Sequence, residues 1–144
     1  MANITPTIKR VMGQGGQDGW QVIWGPMANG DVGLPVGSPI GDGSGAQVPS
    51  GGSGGLAGFA DKAIAVVGTF GVGAQIVCEG SNDGGGNYFT LTDPLGNSIS
   101  FTTAGGAGLK AITEAVLWLR PRVVTGDGTT SLTATMFFRK TQTP

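Results

Sequence analysis

The chain has no histidine and a single cysteine, Cys78. The first absence removes the commonest general base near neutral pH and the commonest metal ligand. The second excludes an intrachain disulfide and a cysteine-based zinc site. Charge is scarce too. Charged residues make up 12% of the chain, about half the usual share, and 8 Lys and Arg stand against 9 Asp and Glu. The basic residues gather in nothing larger than Lys9-Arg10, Arg120/Arg122 and Arg139-Lys140. Nucleic-acid binding draws on a basic patch that releases counterions, so no nucleic-acid partner is expected. The opening MANITPTIKR has no apolar h-region, and no apolar run approaches the ~18 residues a membrane helix needs. The expectation is a soluble protein made in a cytoplasm, with no membrane partner.

Glycine is abundant, at 29 of 144 residues, roughly three times its average usage. Apolar content of 39% is enough for a globular core, and the length suits one domain, 1–144. Apolar positions alternate, which is the strand period, and helix signals are almost absent. Ile4 to Val11 reads as a strand or N-terminal arm within 1–12. Trp20, Val22 and Trp24 share one face of the next strand, and Asn29-Gly30-Asp31 reads as a hairpin turn. The Gly/Ser-rich stretch 38–58 is too long for an ordinary connection. It reads as a surface loop, or as an arm that orders against a neighbouring subunit.

Further strands follow at Lys62 to Phe70, Ala74 to Glu79, Tyr88 to Thr92, Ser98 to Thr102, Val116 to Val124 and Ser131 to Lys140. Pro121 implies an edge position or a bulge. "GLKAITEA" is the one helix-like piece, a short turn near 109–114. About eight strands with closely spaced turns predict an all-β fold, an antiparallel β-sandwich of jelly-roll type.

The densest group of potential ligands is "CEGSNDGGGNYFTLTDPLGNSISF", with Asn82, Asp83 and Asp93 among glycines. A calcium loop needs oxygens at alternate positions and a distant Glu, which "NDGGGNYFT" lacks. A phosphate loop needs a helix after the glycines, and here a strand follows. "SNDGGGN" and "DPLGN" therefore read as turns, with Pro94 pre-setting φ and Gly96 taking the left-handed position. Most aspartates sit beside glycine in similar turns. Alternation places Glu79 on an outer, solvated face and Cys78 inward as a small buried hydrophobe. Serine nucleophiles lack a histidine partner. No catalytic residue, cofactor or metal site is nominated. Trp20, Trp24 and Trp118 fit a sandwich core better than a sugar-stacking platform. Trp118, Arg120 and Arg122 share a face and suit a subunit contact, because Trp and Arg are common interface anchors.

The run from Ala74 to Leu132 resembles the small β-sandwich decoration, or cement, proteins of tailed-phage capsids. The matching features, in order, are the strand "IVC", "EGSNDG", an aromatic, "LTDPLGN", "GLKA", "LRPRV" and a final "GDGTT" hairpin, about 40% of the chain. The resemblance implies a homotrimer or homodimer bound to the major capsid protein on the outside of the virion, reinforcing the head after synthesis in a bacterial host. An N-terminal strand could add to a neighbour's sheet, which nominates Ile4, Thr5, Pro6, Thr7, Ile8, Lys9 and Arg10. "GSNDG" with its following Tyr is also similar to discoidin-type carbohydrate-binding sandwiches. That resemblance implies the alternative of a glycan-binding or tail-associated adhesion module. The two-cysteine closure of those domains is impossible here.

Overall fold

A computed structural model describes residues 2–12, 18–37, 61–83, 86–114, 116 and 118–139. The 38–58 stretch lies outside the described residues. Alternation is strict where the sequence is most regular. In Ser131–Arg139 every second residue from Leu132 turns inward, and in Asp61–Thr69 Lys62, Ile64 and Val66 do. The described strands are β1 (Asn3–Ile4), β2 (Thr7–Met12), β3 (Asp18–Met27), β4 (Val32–Gly33), β5 (Val36–Gly37), β6 (Asp61–Thr69), β7 (Gln75–Ser81), β8 (Phe89–Thr90), β9 (Ser100–Thr102), β10 (Gly108–Ala111), β11 (Trp118–Thr125) and β12 (Ser131–Arg139). These twelve segments exceed the eight expected because short pieces such as β4, β5 and β8 have only two residues.

Two sheets pack against each other as a β-sandwich. One has the order β1-β4-β11-β7-β8, with β5 also on β11 and β9 also on β7. The other has the order β10-β6-β12-β3-β2. Their inner faces form one core: Val22 and Trp24 of β3, Ile64 of β6 and Phe138 of β12 meet Ile76 of β7 and Leu119 of β11. Each of these six side chains is fully buried. Such burial contributes about 1.5–3 kcal/mol per large apolar side chain.

The segment near 109–114 is not helical. Gly108–Ala111 is β10, antiparallel to β6, with Gly108 opposite Val66 and Ala111 opposite Ala63. A helix this short is unfavourable alone because nucleation fixes several dihedrals for one hydrogen bond. The open edge of β6 offers a full ladder instead.

The N-terminal segment is not one strand. β1 runs parallel to β4 in the first sheet, and β2 runs antiparallel to β3 in the second. Thr5 and Pro6 lie between them, and Pro6 cannot donate to a ladder. The Asp31 carboxylate ties this entry down. It accepts the Ala2 N–H at 3.0 Å and the Ala28 N–H at 2.8 Å.

Pro121 sits in an interior strand, not at an edge. Cys78, its partner on β7, directs its own N–H and C=O to Ile99 and Leu91. The Pro121 nitrogen therefore faces away from β7. On that side β4 pairs only at Arg122 and β5 only at Trp118 and Leu119, so no ladder bond is lost there. Gly33 of β4 packs onto the proline ring. A Cβ at Gly33 would lie 2.6 Å from Pro121 Cδ and 2.7 Å from Trp24 Cδ1. The indole cannot easily yield, because its Nε1–H donates to the Leu34 carbonyl at 2.9 Å. Gly33→Ala is expected to cost about 1–3 kcal/mol of overpacking strain. Urea unfolding of the variant measures this, and an unchanged midpoint would contradict the packing described.

Candidate functional site

The most polar constellation lies on the outer face of the first sheet, where β7 and β11 pair. Register puts Arg120 opposite Glu79, Arg122 opposite Val77 and Trp118 opposite Ser81. The Arg120 Nε–H donates to Glu79 Oε1 at 3.1 Å, and Arg122 donates to Oε2 at 3.2 Å. The Tyr88 ring stacks on the Arg120 guanidinium, 3.6 Å from centroid to Cζ. Glu79 is only 5% exposed. The expectation of a solvated Glu79 is thus corrected: the residue faces outward, but two guanidinium groups close over it. Trp118 is buried within its own chain, whereas the side chain of Arg122 is 43% exposed.

The other carboxylates serve turns. Asp83 Oδ1 accepts the Ser81 hydroxyl at 2.7 Å and the Asn87 N–H at 3.0 Å, and Oδ2 accepts the Asn87 amide at 2.7 Å. These bonds, the Asn87 side chain foremost, hold the carboxyl well below its ordinary range. Asp93 Oδ1 accepts the Leu95 and Asn97 N–H groups at 3.0 Å. Gly96 takes φ +83° as its turn requires. Burial alone would raise the Glu114 carboxyl. The Thr92 hydroxyl at 2.6 Å and the Thr92 N–H outweigh that and lower it. Among the described residues no group of three or more His, Cys, Asp or Glu is placed to hold a metal ion.

Asp127 links two turns. It accepts the Thr129 hydroxyl at 2.6 Å, the Thr129 N–H at 2.8 Å and, across the sandwich end, the Val72 N–H at 2.8 Å. The Thr129 hydroxyl foremost, then the Val72 and Thr129 N–H groups, lower its pKa from 3.8 to about 2.

Cys78 is fully buried, and burial foremost pushes its thiol far up, so it is not a thiolate at neutral pH. Lys62 was missed as an inward residue. It lies on the Ile64–Val66 side of β6 and is 5% exposed. Burial lowers its pKa, opposed chiefly by Asp61. The alternation Lys62-Ile64-Val66 carried the signal. Trp24 is core, as expected, and Trp20 is half-buried against that core. Among the described residues β2 lies at one end of its sheet, with β10 at the other, and β1 at one end of the first sheet, with β8 at the other. Ile4 and Ile8 pack against the core, while Thr5, Thr7 and Lys9 are exposed. Beside the Ser81–Asn87 turn runs a groove of about 330 Å³ lined by Asn82, Asp83, Asn87, Thr90, Glu114 and the ring of Phe89, which is 70% exposed. Among the described residues no helix is long and apolar enough to cross a membrane.

No family model, curated protein or solved structure matches the chain.

Glu79→Gln removes the shared negative charge and one of the two oxygens that accept from Arg120 and Arg122, and is expected to destabilise by about 2 kcal/mol, less than a fully buried pair because both arginines are partly exposed. Asp61→Asn, whose Arg139 partner is half exposed, is expected to cost at most about 1 kcal/mol. Equal losses in chemical unfolding would contradict the layout. For Asp127 the folded pKa lies below the unfolded one. Its contribution is therefore present above about pH 4 and is lost as pH falls through about 2. Thermal melts of Asp127→Asn should show a shallower decline than the parent between those values. Parallel curves would exclude the role given to Asp127.

Proposed function

We propose that this protein is a structural subunit of a tailed-phage virion that binds the outer capsid surface as a homo-oligomer and cements the head, without catalysis. One observation carries the reading. The carboxylates of Asp31, Glu79, Asp83, Asp93, Glu114 and Asp127 are each engaged by backbone N–H groups, hydroxyls, an amide or arginines of the scaffold. Polar groups are used to fix the shape of the sandwich. A rigid surface of fixed shape suits complementarity, and a shell repeats each contact many times, so a modest interface gains by multivalency. The turn and strand motifs that carry the resemblance to cement proteins lie on β7, the Asp83 and Asp93 turns, β10, β11 and the Asp127 hairpin. Attachment through the N-terminal residues Ile4 to Arg10 is supported by the position of β2, whose outer backbone edge suits addition of a capsid strand. Arg120 and Arg122 offer a second contact on the opposite sheet.

A glycan-binding role is favoured by a different observation, the exposed Phe89 ring beside the amides of Asn82 and Asn87. It would replace the platform of Trp20, Trp24 and Trp118: Trp24 is core, Trp20 is half-buried against it and Trp118 is buried. The two readings separate by experiment. Purified protein mixed with capsids lacking it should co-sediment up to a fixed ratio and raise the temperature at which the heads open. If the protein stays in the supernatant and instead gives a glycan-array signal abolished by Phe89→Ala, adhesion replaces cementing.

A further inference from the structure

The outer face of the five-stranded sheet carries apolar side chains interleaved with threonines where solvent exposure favours charge. Register aligns Leu109, Ala65, Thr135, Ile23 and Thr7 in one row across all five strands. Around this row Leu109 is 72% exposed, Val67 53% and Phe137 37%. Exposed apolar side chains occurring singly are ordinary, but a contiguous sheet face of them marks an interaction surface.

We propose that two copies of this chain pair face to face through this sheet. The proposal deepens the homo-oligomer part of the function above and rests on that part alone, not on capsid binding. Charge favours a second copy. Among the described residues, the charged side chains on this face are Lys9 on the outermost strand and, at one end, Asp61 and Arg139, which neutralise each other at 2.6 Å. Doubling such a face brings no cluster of like charges together, and a strongly charged partner would find nothing to complement. Size also fits. Five strands about 4.8 Å apart and seven residues at about 3.4 Å each give about 600 Å² per copy, or about 1,200 Å² for the pair, at the lower end of specific interfaces. Shape fits as well. The small side chains Ala63, Ala65 and Thr135 leave the centre flat, as sheet-on-sheet packing at about 10 Å requires. A groove of about 490 Å³ opens on the same face, bounded by Ala63, Ala111, Pro94, Thr113 and Phe137 and, at its charged end, by Asp61, Lys62 and Arg139. Under a two-fold axis each copy's groove can receive an apolar side chain of the other.

Sedimentation equilibrium of the purified full chain, without capsids, tests this. The expected result is a particle of twice the 14.4 kDa chain mass. Val67→Glu combined with Leu109→Glu should weaken self-association about 100-fold, as loss of two exposed apolar anchors with added repulsion does. Val72→Glu combined with Val124→Glu, at exposed apolar positions of a turn and of β11 in the other sheet, should leave it unchanged. If the glutamate pair fails to fold, Val67→Thr with Leu109→Thr gives the same comparison with strand-compatible residues and an expected weakening of about tenfold. A monomeric or trimeric parent, or face variants that keep the dimer mass, would overturn the proposal. A dimer that does not co-sediment with capsids would leave the pairing intact and refute only the cement role.

Discussion

The register between β7 and β11 sets both faces of the first sheet at once. With Arg120 opposite Glu79, Leu119 and Val123 turn toward the core beside Ile76 and Cys78. The same register brings two guanidinium groups onto one carboxylate outside. A slip by one residue would send Leu119 to solvent and Arg120 into the core, because side chains alternate with period two. Buried apolar contact and ion pairing therefore favour the same alignment. Pro121 adds a negative constraint: its nitrogen has no N–H, and this register turns it away from β7 into the gap between β4 and β5.

From that pair the rest of the molecule can be built outward. β4, β5, β8 and β9 are short because each covers only part of the β7–β11 pair, and turns do the remaining work. Their rigidity comes from aspartates that accept backbone N–H groups. Asp31 fastens the N-terminus, Asp83 and Asp93 close two turns, and Asp127 joins the two turns at one end of the sandwich. In a chain this poor in charge, such use of carboxylates leaves few of them for anything else. The surface that results is low in charge and stiff, and one sheet face carries exposed apolar side chains among threonines. That combination suits a role in assembly.

Much of this was legible in the residues. The alternation of Leu132, Ala134, Met136 and Phe138 gave β12 and its inner face, and Cys78 next to Ile76 was read correctly as buried. "DPLGN" and "SNDGGGN" were recognisable as turns from the backbone preferences of Asn, Asp and Gly. What was not legible depended on distant partners. Nothing near Glu79 announces Arg120, forty-one positions away, so its outward position was clear but its burial was not. "GLKAITEA" has local helical composition, and only the vacant edge of β6 makes Gly108–Ala111 a strand. Ile4 to Val11 looked like one strand because the alternation runs through Pro6, and the change of sheet at that proline is a tertiary event. Lys62 is a different case: its inward position was written in the spacing with Ile64 and Val66, and its charge drew attention away from it.

The central claim is that this sandwich acts as a building block on a capsid surface. A reconstruction of the assembled virion by electron cryomicroscopy tests it most directly. The account predicts density for the two-sheet fold on the outside of the head, with the row from Leu109 to Thr7 facing a second copy. A head surface without that density, or the fold found only on the tail with that row facing solvent, would contradict it.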